Sequence, residues 1–189
     1  MKLYLRFSRR ATLLDRLISV WSYSEWAHVD GIIPAPSWLL NHGVQIPPSR
    51  LHSLDQAIYI PGSIESGRPF PLFGALSPGV IRHGQLPKEI KWEIRSLEVT
   101  EEQLATIWRN AFAQAGKKYD WLGVIGFGLR QGAWHERNRW FCSELWMAMA
   151  ERAGIELLNA PSRRISPGDL HMSPLLKYEA SQSETPLQS

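Results

Sequence analysis

The chain has 189 residues, 44% of them hydrophobic and 21% charged, with 21 Lys and Arg against 18 Asp and Glu for a formal charge of +3. That is long enough for a full core without metal or disulfide staples, and its mild charge, with no long basic run, gives no reason to expect a nucleic-acid partner. The single cysteine, Cys142, excludes an internal disulfide and fits a reducing compartment.

The N-terminus, MKLYLRFSRRATLLDRLISVWSYSEW, begins with positive charge, but Arg9, Arg10, Asp15 and Arg16 interrupt it before an apolar run forms. Neither a signal peptide nor a membrane span is expected, and the expectation is a cytoplasmic protein of bacterial or phage type. Residues 2–7 (KLYLRF) alternate as a short strand, and Leu13, Leu14, Leu17, Ile18 and Trp21 recur at helical spacing over 11–21. AHVDGII, 27–33, reads as a strand. From 34 to 89 Pro and Gly are dense, which predicts short strands (GVQI, AIYI, GVIRH) joined by turns and by loops long enough to cover a cleft.

IKWEIR, 90–95, sets Ile90, Trp92 and Ile94 on one face and Lys91, Glu93 and Arg95 on the other, the pattern of a half-buried strand. TEEQ, 100–103, has the form of a capping box that opens a helix over 101–115, with Gly116 as a left-handed stop. KKYDWLGVIGFGLR, 117–130, is glycine-punctuated and aromatic, with Asp120 placed to cap a short helix. A helical pattern returns over 142–153, with Leu145, Ala148 and Met149 on one side and Gly154 as its stop. This order predicts an α+β chain, helices grouped against an antiparallel sheet. The expected organisation is a single domain over 1–178 and a disordered tail over 179–189.

Cys142 falls where a helical pattern begins, where unpaired backbone N–H groups and the helix dipole favour a thiolate. A nucleophilic thiolate needs a base. Of the six histidines (His28, His42, His52, His83, His135 and His171), only His28 lies in a clear strand, which aims a ring better than a loop does. Asp30, two residues on, shares its face and is placed to orient the ring. The packing alternative stands beside this: free cysteines are among the most buried residue types, and a strand histidine is commonly just a satisfied polar group. The scattered histidines give no metal-ligand spacing, and GVIGFG lacks the Gly-Lys-Ser/Thr of a phosphate loop, so no cofactor or metal is expected.

AHVDGII, then KKYDWLGVIGFG, then WFCSELW, in that order, resemble the circularly permuted branch of the NlpC-type papain-fold cysteine hydrolases, a group that includes YiiX-like proteins and, more remotely, lecithin retinol acyltransferase. The resemblance spans roughly residues 1–175 and closes with ISPGDLHMSP. It implies a papain-like α+β fold with the nucleophile at a helix N-terminus. It also implies Cys142 as nucleophile, His28 as general base, and Tyr119 beside the site, where its hydroxyl assists an oxyanion together with the Cys142 backbone N–H. For the third triad member Asp30 is the first choice, with His42, Gln45 and His83 as alternatives; Glu144 is read as a brace for the helix or a contact for a substrate amine. The function implied is a cysteine peptidase or amidase that cleaves a peptide or cell-wall-type amide through a thioester. The alternatives are an acyltransferase using lipid or amine acceptors, and a non-catalytic phage or bacterial binding module that keeps the fold. The partner is thus a peptide, amide or acyl substrate. Trp26, Trp121, Trp140 and Trp146 are read as core in preference to cleft lining.

Overall fold

The computed structural model describes residues 1–47, 72–76, 79–83, 89–120, 139–162 and 165–183. AIYI, His52, Trp121, His135, the glycine-rich GVIGFG and the short helix expected after Asp120 lie outside the described residues. Strands β1 (Lys2–Arg10), β2 (His28–Ile32), β3 (Leu72–Leu76), β4 (Gly79–His83), β5 (Glu89–Glu98), β6 (Lys118–Tyr119), β7 (Arg139–Trp140) and β8 (Lys177–Ser183) form an eight-stranded sheet in the order β7-β6-β4-β3-β2-β1-β5-β8. Neighbours are antiparallel except β6 and β7, which run parallel. The helices among the described residues are α1 (Leu13–Trp21), α2 (Pro36–Asn41), α3 (Glu101–Phe112), α4 (Cys142–Arg152) and α5 (Pro167–His171).

Alternation along the strands divides the sheet into two faces. Leu3, Leu5, Phe7, Val29, Phe73, Ala75 and Leu97 join the main core with α3 and α4. Ile32, Leu72 and Ile94 pack with Tyr4 and Trp92 in a smaller cluster. β1 and β2 pair with Arg6 opposite Asp30 and Ser8 opposite His28, so these four side chains share a face, and all four are buried. Arg6 lays its guanidinium 5.5 Å from the Trp92 ring centroid.

The capping box at α3 forms as read: Gln103 N–H donates to Thr100 Oγ1 at 3.1 Å and Thr100 N–H donates to Gln103 Oε1 at 3.0 Å. Gly116 and Gly154 both take positive φ, 82° and 74°, at the ends of their helical segments. Helix α4 lies against β2, β3 and α3. A Cβ at Gly31 would fall on the Trp146 ring, so the missing side chain on β2 leaves room for the far edge of the indole.

Four expectations are corrected. GVQI is not a strand: Val44 N–H turns back to Leu39 C=O at 2.9 Å, closing α2, whose first turn carries Pro36 where a missing N–H costs nothing. Helix α1 buries Ile18 but leaves Leu13 and Leu17, which share the apolar spacing, exposed. Its inward side instead carries Asp15, bonded by Arg10 through Nε and Nη2, each at 3.0 Å, and through the Arg10 backbone N–H at 2.8 Å. Helix α4 has no single apolar side; Cys142 to Met147, Met149 and Ala150 are all buried, because it is enclosed by sheet and helix together. The expected boundary at 178 also moves, since Lys177–Ser183 forms an edge strand on β5, fixed by Lys2 Nζ and Ser96 Oγ on Glu179 Oε1 at 2.6 and 2.5 Å.

Candidate active site

Cys142 is the first residue of α4, after Phe141 in extended conformation (φ −91°, ψ 154°). The first N–H groups of a helix have no partner within it and point out of its N-terminus. Phenylalanine has no side-chain acceptor to cap them, and Glu144 takes over part of that role: its Oε2 accepts from Phe141 N–H at 3.3 Å. This carboxylate is therefore a brace on the turn that carries the thiol. Ser143 Oγ donates to Ile165 C=O at 2.5 Å and ties the same turn to the segment leading into α5.

His28 opens β2, with its ring buried at the end of the strand. Its Nε2 lies 2.9 Å from Asp30 Oδ1, and the ring is near enough to Cys142 for the sulfur to raise its pKa. With Nε2 engaged by the carboxylate, Nδ1 is the nitrogen that remains for the sulfur. Burial is the largest single influence on the ring and pulls its pKa down. The Asp30 charge, a Cys142 thiolate and the hydrogen bonds to both together exceed it, and the pKa is raised from 6.5 to about 10. The ring is thus held as an imidazolium at neutral pH whenever the sulfur is anionic.

Tyr119 ends β6 and is buried, with its ring edge-on to Phe141 at 6.2 Å between centroids. Its hydroxyl pKa is driven well above 10.0, first by burial, then by the negative charge of a Cys142 thiolate and of Asp15, with Arg10 opposing. The phenol therefore stays protonated and remains a hydrogen-bond donor within the field of the sulfur. Asp120, fully buried, donates its backbone N–H to Trp140 C=O at 3.1 Å and fixes the end of β6 beside β7.

The alternatives for the third position fall elsewhere. His42 stacks on Trp38 at 4.2 Å and donates Nδ1–H to the Trp38 carbonyl at 2.8 Å, capping α2. Gln45 is exposed, and His83 lies in β4 with its side chain outside the described residues. Trp26 and Trp146 are core: the first packs on Phe7 and His171, the second on Trp108 and over Gly31. Trp140 is half-buried and donates Nε1–H to Gln114 Oε1 at 3.2 Å.

Two arrangements have no counterpart in the sequence reading. His171 Nε2 lies 2.8 Å from Glu93 Oε1, a second histidine–carboxylate pair against Trp26 and Phe7; the spacing of 78 residues left no local signal. Gly74 on β3 lies beside Asp30, where a Cβ would overlap Oδ1. A glycine inside the apolar run LFGAL was the available sign of a close approach.

No protein-family profile and no curated protein matches this chain. Among solved structures, the metalloprotein yiiX from Escherichia coli O157:H7 superposes with a TM-score of 0.60 at 14% sequence identity, over 97% of this chain and 98% of that one. The likeness is one of fold: this chain shares the α+β architecture of that protein, a central sheet packed against helices. As to a metal, no three His, Cys, Asp or Glu side chains among the described residues lie together in a group that could hold one. His28, the imidazole beside the thiol, already gives its Nε2 to Asp30. The described residues do not fit a metal centre, and none enters the chemistry below. No described helix is long and apolar enough to cross a membrane.

Proposed function

We propose that this chain is a cysteine hydrolase that cleaves an amide bond through a Cys142–His28 pair oriented by Asp30. One observation carries the reading: His28 is bonded to Asp30 and stands near enough to Cys142 for the sulfur to raise the ring's pKa, and the three groups stand on a buried strand and a helix start instead of on loops.

The chemistry follows from the placement. The Cys142 thiolate attacks the acyl carbon and a C–S bond forms. The carbonyl oxygen becomes an oxyanion within reach of helix-start N–H groups, Cys142's own included, and of the protonated Tyr119 hydroxyl. As the C–N bond breaks, the His28 imidazolium gives its proton to the leaving nitrogen. A water then passes a proton to His28 and attacks the thioester, releasing the acid and restoring the thiolate. Asp30 keeps Nε2–H in place throughout and stabilises the ring when charged.

The test is the rate of Cys142 alkylation by iodoacetamide as a function of pH, in the parent and in His28→Ala. A thiolate paired with imidazolium gives reaction well below the free-thiol pKa of about 8.5, and that limb disappears in His28→Ala. The complete burial of Cys142 favours a second reading, a non-catalytic module that keeps the fold. It predicts a slow thiol whose profile ignores His28.

A further inference from the structure

Strands β2 and β3 pair with Gly31 opposite Phe73 and Ile32 opposite Leu72. One more step along this register sets Gly74 opposite Asp30, and residues directly opposite present their side chains on the same face. A Cβ at position 74 would fall on Asp30 Oδ1, the oxygen that faces His28 Nε2. The glycine is not there for backbone freedom: its φ is not positive, unlike that of Gly43, Gly116 and Gly154. Nor is position 74 at a loose end of the sheet. Phe73 and Ala75 beside it are fully buried, and β3 pairs residue by residue with β4 from Leu72 to Leu76. Glycine inside a strand weakens it relative to alanine, so its presence calls for a neighbour that needs the space. The neighbour is the carboxylate that faces His28.

We propose that Gly74 is a positioning residue: its missing side chain forms the socket that holds Asp30 Oδ1 against His28. This rests on the Cys–His reading above. A methyl at 74 would push the carboxylate away from Nε2. The imidazolium would then lose its orienting partner while sulfur and ring stayed where they are.

The experiment is a double-mutant cycle read by the pH profile of Cys142 alkylation with iodoacetamide, with thermal melts alongside, in the parent, Gly74→Ala, Asp30→Ala and the double variant. Gly74→Ala should cut the rate at pH 6 about tenfold or more, approaching Asp30→Ala, and the double variant should react no more slowly than Asp30→Ala alone. The inference is overturned if Gly74→Ala keeps the parent profile, or if its effect persists undiminished in the Asp30→Ala background. Should Gly74→Ala fail to fold, recovery of folding in the double variant supports the socket; failure of both shows that the glycine serves the sheet itself. A parent without a low-pH limb removes the Cys–His reading on its own, before any variant is compared, and the socket with it.

Discussion

His28 Nε2 and Asp30 Oδ1 lie 2.9 Å apart although the two residues belong to the same strand, so alternation alone keeps imidazole and carboxylate on one face. The first prediction follows from the charge. In Asp30→Asn, the leading influence that raises the His28 pKa is gone while the burial that lowers it remains. The midpoint followed by NMR of the His28 ring should fall clearly below the parent value of about 10. The low-pH alkylation of Cys142 should weaken with it. An unchanged midpoint would show that Asp30 does not govern the ring.

The two buried histidines should give stability a pH optimum. His28 is raised on folding, so its contribution is fully present below pH 6.5 and is lost as pH rises through about 10. His171 is lowered, first by burial, with the Glu93 hydrogen bond opposing and Arg95 assisting. Its contribution is present above pH 6.5 and is lost as pH falls through the folded value, because the unfolded chain then binds the proton more readily. Urea melts from pH 5 to 10 should fall off on both sides, and His171→Gln should flatten the acid side only. A curve with no acid limb to remove would count against the His171 assignment.

Tyr119→Phe keeps the edge-on packing against Phe141 and removes only the donor. Turnover of an activated ester such as p-nitrophenyl acetate should fall about 10²-fold or more, the effect of losing one oxyanion donor, while the alkylation profile and melting temperature hold. Equal turnover would leave Tyr119 as packing.

Gly31→Ala would drive a methyl into the Trp146 ring, and a well-packed core resists such insertion by about 1–3 kcal/mol. Denaturant midpoints should drop accordingly, whereas Thr100→Ala, which removes one half of the α3 cap, should cost about 1 kcal/mol. A neutral Gly31→Ala would mean that α4 slides easily on β2.

The parts of the site that were legible in the sequence are those set by local spacing. His28 and Asp30 are two residues apart in a β pattern; Cys142 is marked by the onset of a helical one; the Thr100–Gln103 box closes within a single turn. The parts that were not legible depend on partners far along the chain. Helix α2 looked like loop because Pro36 and Pro34 suggested turns, although Pro36 sits where a helix tolerates it best. The polar stretch SQS became strand because β5 offered an open edge and Glu179 an anchor, which no propensity of its own could signal. Leu13 and Leu17 matched a core-facing stripe, but the Arg10–Asp15 pair claimed the inward side of α1. The Gly74 socket is a matter of register between strands joined through more than thirty residues.

The enclosure of Cys142 also bears on how long the protein would last in air. A reactive thiolate at the surface is oxidised stepwise to sulfenic and then irreversibly to sulfinic acid, at a rate set by its charge and its contact with oxidants. Here the sulfur has no contact with solvent, and the chain offers no second cysteine to resolve a sulfenic acid as a disulfide. Peroxide therefore reaches the sulfur only when the packing around it opens. Whatever keeps that enclosure shut would protect the thiol from oxidation, and damage, once done, would have no thiol partner within the molecule to reverse it.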